Sequence, residues 1–136
     1  MKHLVISLLI FTSTSLLAQL WTPIATSVDG TVSNLDLATL RKEGDIRRVW
    51  VLENFSEKKP SMFLSDSSGV FSIRYRMEYD CKNERHKTLS YTFFTEKEAK
   101  GTVSSKSDSP SNWVDIAPGT AAWKLMETAC KTKLPE

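Results

Sequence analysis

From Phe71 to Cys81 the chain alternates with period two. Phe71, Ile73, Tyr75, Met77, Tyr79 and Cys81 fall on one side, and Ser72, Arg74, Arg76, Glu78 and Asp80 on the other. Successive strand side chains point to opposite faces, whereas a helix repeats every 3.6 residues, so six apolar residues in strict alternation dictate a strand. "KNER" (Lys82 to Arg85) is a turn, and "HKTLSYTFF" brings the chain back with Leu89, Tyr91 and Phe93 on one face. The pair predicts an antiparallel hairpin. Its first strand ends on one of only two cysteines, which raises the question of what that thiol meets.

The N-terminus bears on the answer. "MKHLVISLLIFTSTSLLAQL" has a polar start at Lys2 and His3, an apolar run from Leu4 to Phe11, and small residues leading to Ala18. That is the layout of a secretory signal peptide over residues 1–18, with one domain expected over 19–136. The apolar run is shorter than the roughly 20 residues a membrane-spanning helix needs. The rest of the chain has no second such run, so no transmembrane segment is expected in the mature chain. No cysteine lies near the cleavage point, so no lipid-anchored N-terminus is expected either. In an oxidising compartment two thiols pair by default. A metal pair and a nucleophile are the alternatives for Cys81 and Cys130, but two cysteines 49 positions apart with His86 alone make a poor zinc site.

At the other end, "TAAWKLMETACK" predicts a helix capped by Thr120, with Ala122, Trp123, Met126, Ala129 and Cys130 along one apolar stripe. That stripe turns Cys130 toward the sheet layer that Cys81 also faces. A Cys81–Cys130 bond would then staple the helix across the sheet and close a loop of about 50 residues, contributing about 4 kcal/mol by loop entropy.

Between the ends, "LWTPIATS" and "TVSNL" read as strands about a "DGT" turn. Asp36 before "LATLRKEG" reads as the cap of a short helix closed by Gly44. "DIRRVWVLENF" (Asp45 to Phe55) reads as a central strand, with Val49, Val51 and Phe55 on one face and Ile46, Trp50 and Leu52 on the other. Residues 56–69 read as a loop, "GTVSS" as a polar edge strand, and "WVDI" as a last short strand. The expected class is α+β: an antiparallel sheet of about six strands, with a C-terminal helix packed on one face and tethered by a disulfide.

"GDIRRVWVL" (Gly44 to Leu52), "YDCKNERHKTLSYTFF" (Tyr79 to Phe94) and "NWVDIAPGTAAWKLMETAC" (Asn112 to Cys130) together resemble the surface-adhesin protein E-like family of exported bacterial domains. The resemblance implies the same disulfide-tethered sheet and helix. It also implies a place in the periplasm or at the outer surface, and binding to host matrix or serum proteins.

The residues themselves exclude more than they select. Eighteen Lys and Arg against 16 Asp and Glu become 17 against 16 once Lys2 leaves with the leader, far from the basic excess of a nucleic-acid binder. There is no Ser/His/Asp order, phosphate loop or metal motif, so no catalytic residues, no cofactor and no metal are expected. The candidate binding surface is a basic hairpin of Arg74, Arg76, Lys82, Arg85 and Lys87, suited to acidic or sulfated partners. The same residues also read as a solvated sheet face pairing with Glu78, Asp80 and Glu84. Arg47 to Trp50 ("RRVW") reads as an anion site or as a packed Trp beside snorkelling arginines. The leading function is an exported, non-enzymatic binding domain whose partner is an extracellular-matrix or envelope protein. The alternative is a periplasmic accessory protein that pairs through a strand edge, as a homodimer for instance. A small hydrolase assembled from scattered residues ranks third.

Overall fold

A computed structural model of the protein describes residues 20–60 and 69–134. Its elements are strands β1 (Thr22–Thr26), β2 (Val32–Glu43), β3 (Ile46–Lys59), β4 (Val70–Asp80), β5 (Arg85–Glu96), β6 (Lys100–Ser107) and β7 (Val114–Asp115), followed by helix α1 (Ala121–Lys131). The strands form one antiparallel sheet in the order β1-β2-β3-β4-β5-β6, and β7 pairs with the start of β5. Every neighbour along the path is also the next strand in sequence, so the sheet is a meander. One eleven-residue helix against that much sheet makes the protein mostly β. The expected leader, residues 1–18, lies outside the described residues.

The opening hairpin folds as its pattern demands. β4 and β5 pair from Ser72–Phe94 to Asp80–Arg85, with one irregularity between Arg76 and Met77 that sets Leu89 out of step. Odd-numbered β4 residues face the helix. Met77 and Tyr79 join Leu35, Val49, Val51, Leu125, Met126 and Ala129 in the buried core. Leu125 thus extends the helical stripe read from sequence. Thr120 caps α1, its hydroxyl accepting from the Trp123 backbone N–H at 3.2 Å. Cys81 and Cys130 are joined by a disulfide.

Two expectations fail, both near β2 and β3. Asp36 does not open a helix, because β2 runs unbroken to Glu43. Its register against β3 instead slips between Asp36 and Arg41, so that a bulge replaces the helical turn. The Asp36 carboxylate accepts from the Ala38 N–H at 3.2 Å, and the Thr39 hydroxyl donates to the Asp36 carbonyl at 2.7 Å. Such local bonds compete with helix formation as readily as they cap it. Gly44 takes φ 57° in the two-residue β2–β3 turn, the positive value that hairpin turns favour, and ends no helix. The loop expected from residue 56 begins later, since Ser56 to Lys59 continue β3. The rest of that loop, 61–68, lies outside the described residues.

The far face of the sheet carries its own buried residues. Leu52, Val70 and Phe94 are buried there, away from the helix-side core. The β5–β6 tip folds over this end. Glu98 and Ala99 both hold positive φ without being glycine. Asn54 Oδ1 accepts from the Glu98 N–H at 2.8 Å, and Ser72 Oγ accepts from the Ala99 N–H at 3.1 Å. Ser72 Oγ in turn donates to the Glu96 carbonyl at 2.6 Å. These bonds offset the backbone strain of the tip.

Candidate functional site

The register of β3, β4 and β5 gathers the basic residues on the far face. Trp50 sits opposite Arg76, Leu52 opposite Arg74, Arg48 and Lys87 opposite Glu78, and Arg85 opposite Asp80. The Arg74 guanidinium lies 5.2 Å from the Trp50 ring centre and 5.4 Å from that of Phe94, a cation held between two aromatic faces. Across the hairpin, Arg85 and Lys87 lie 4.9 and 5.0 Å from the Trp113 ring. Trp113 reaches them because Val114 and Asp115 pair with His86 and Arg85. Two carboxylates thread this array. Glu78 pairs with Arg48 at 3.1 Å and Lys87 at 3.8 Å, and Asp80 pairs with Arg85 at 3.0 Å.

The five hairpin residues thus divide. Arg74, Arg85 and Lys87 are held by rings and carboxylates, while Arg76 and Lys82 are exposed. Asp80 organises the turn. Its carboxylate accepts from the Asn83 side chain at 2.9 Å, from the Lys82 and Asn83 backbone N–H groups, and from Arg85. The Asn83 bond leads the causes that hold its carboxyl down at about 2. In "RRVW" Trp50 is half-buried, with the Arg74 guanidinium over its ring. Arg47 donates to the nearby Gly44 and Ile46 carbonyls.

A second region was not singled out from sequence. Beside α1 on the near face lies a cavity of about 190 Å³, bordered by Glu53, Tyr75, His86 and Thr88 of the sheet and by Ala122 and Leu125 of the helix. The signal was a gap: Glu53 stands where the row Val49, Val51, Phe55 should carry another apolar residue. His86 stacks on Tyr79, and burial lowers its pKa. A third region, a groove of about 810 Å³ at the end of α1, is rimmed by Arg41, Lys42, Arg47, Lys131 and Lys133. No cluster of three or more His, Cys, Asp or Glu that could hold a metal occurs among the described residues.

Known proteins share this framework. The family model for surface-adhesin protein E matches residues 21–131, from the first strand to the end of the helix. The chain belongs to the surface-adhesin protein E family. Among solved structures, Haemophilus influenzae protein E in crystal form II superposes with a TM-score of 0.63 at 13% identity, over 81% of this chain and 86% of that one. Protein E from non-typeable Haemophilus influenzae superposes with a TM-score of 0.54 at 14% identity, over 83% of this chain and 85% of that one. At such identities the likeness is one of fold. No curated protein sequence matches the chain. No helix among the described residues is long and apolar enough to cross a membrane.

Proposed function

We propose that the protein is an exported, non-enzymatic adhesin-type domain that binds an acidic stretch of an extracellular-matrix or envelope protein through the far face of its sheet. Residues 1–18 serve as the leader that takes it out of the cytoplasm. Membership of the surface-adhesin protein E family supports the general reading. The observation that carries the specific one is a pair of unused donors. Among the described residues, the Nε groups of Arg48 and Arg74 are buried on that face with no hydrogen-bond partner. An unmet buried donor costs about 1–3 kcal/mol, and a carboxylate or carbonyl arriving from a partner would satisfy it. The rings of Trp50, Phe94 and Trp113 hold the neighbouring cations in fixed positions, which lowers the entropy lost on binding. The β6 edge carries Lys100 and Lys106, charges that blunt strand addition, so the sheet face carries this reading ahead of edge pairing.

The test measures binding to a surface array of purified extracellular-matrix proteins at low and high salt. Arg76→Ser combined with Lys87→Ser is expected to weaken the salt-sensitive signal roughly tenfold, since charge at an interface rim governs encounter and salt dependence. Unchanged binding removes the far face from the reading. Protease treatment of intact cells supplies the second arm: a protein that external protease never reaches is no surface adhesin.

A further inference from the structure

Glu53 is an oddity of the near face. It projects from β3 toward the helix side, beside the apolar core and opposite the buried Ser33 of β2, and among the described residues no Lys or Arg pairs with it. Its hydrogen-bond partner is the Tyr75 hydroxyl, at a long 3.4 Å. Burial pushes the Glu53 carboxyl above its ordinary range, the Tyr75 bond opposing. A carboxylate so placed is poorly compensated, and a cation entering the cavity would compensate it.

The cavity has the shape and lining for one kind of cation. About 190 Å³ holds roughly six waters at some 30 Å³ each, enough for a short alkyl chain with a charged end and too little for a ring system of drug size. Tyr75 and His86 line its edge, and the face of a tyrosine ring attracts ammonium groups. Ala122 and Leu125 offer methyl surface from the helix. Thr88 donates to the Met77 sulfur at 3.3 Å, which leaves its oxygen as a further acceptor on the cavity wall.

We propose that this cavity receives a primary alkylammonium group, with the Glu53 carboxylate as counter-ion, aromatic rings as walls and Leu125 as the seat of the methylene chain. The same group reaches the site on a lysine side chain of a partner protein or on a free small amine. This site is on the opposite face of the sheet from the basic surface and stands independently of it.

Amide NMR titration of the folded protein tests the site with three probes: N-acetyl-lysine-N-methylamide, cadaverine, and N-acetyl-norleucine-N-methylamide, which keeps the alkyl chain and lacks the charge. The expected result is saturable shifts around Glu53, Tyr75, His86 and Ala122 with an amine and none with the norleucine probe. Glu53→Gln is expected to weaken amine binding roughly tenfold, as truncation of a buried charge partner does. It should not lower the melting temperature, because it removes a desolvated charge. Ala122→Leu fills the cavity without altering charge and should abolish the same shifts, while Arg76→Ser on the far face leaves them intact. Binding of the lysine probe at least as tightly as cadaverine assigns the site to a partner's lysine, and binding of cadaverine alone assigns it to free amines. Equal shifts with the norleucine probe, undiminished binding by Glu53→Gln, or no binding of either amine at millimolar concentration would overturn the proposal.

Discussion

Asp80 shows how much one side chain can organise. Its carboxylate is almost fully buried and gathers four donors from the turn that follows it. A carboxyl held near 2 in the folded chain and near 3.8 when unfolded contributes stability that is fully present above the unfolded value. That contribution is lost as pH falls from about 4 toward 2. Asp80→Asn should therefore flatten the acid side of the pH–stability profile in thermal melts while lowering stability at neutral pH. The sign reverses for Glu53: its raised carboxyl favours the folded state at low pH and loses that advantage as pH rises through the carboxylate range. At this scale the sequence was legible where side chains follow a period and opaque where they depart from it. Arg74 and Arg76 sit on the face their alternation assigns. That Arg74 lies between Trp50 and Phe94 depends on cross-strand register, which no single strand encodes. Glu53 was hidden for a related reason, since a lone carboxylate between Val51 and Phe55 reads as a break in the apolar row until the helix that faces it is known.

Among the elements, the hairpin, the polar β6 and the capped helix were all readable, because each rests on a local period or a cap. The segment from Asp36 to Gly44 was not. An Asp followed by good helix formers and a glycine satisfies the rules for a helix, yet it also fits a bulged strand ending in a tight turn. Pairing with β3 decides between them, and that partner lies beyond the local window. Thr39 marks the decision. Its hydroxyl oxygen accepts from the Trp50 backbone N–H at 3.1 Å, standing in for the carbonyl that the bulge has moved away. Thr39→Val keeps the shape and removes that acceptor, so it should cost about 1–3 kcal/mol in urea unfolding. A valine variant as stable as the parent would mean that the bulge finds another acceptor for Trp50.

For the molecule as a whole, the governing fact is that one short helix covers one part of one sheet face. α1 packs across β1 to β4, and the cross-link at its last turn fixes it there. Replacing Cys81 and Cys130 together by serine should lower unfolding free energy by about 4 kcal/mol, a large part of the 5–15 kcal/mol typical of a domain. Reduction of the parent protein should reproduce that loss in the same urea titration. The cross-link also changes how the chain responds to being pulled. Strands β5, β6 and β7 and almost all of α1 lie within the 49-residue span between the two sulfurs. Tension applied at the C-terminus passes through the sulfur bridge straight into the end of β4. About 160 Å of contour, at 3.3–3.6 Å per residue, is thereby withheld from stretching, and the segment that carries Arg85, Lys87 and Trp113 is spared a drag that reaches β4 and the strands before it.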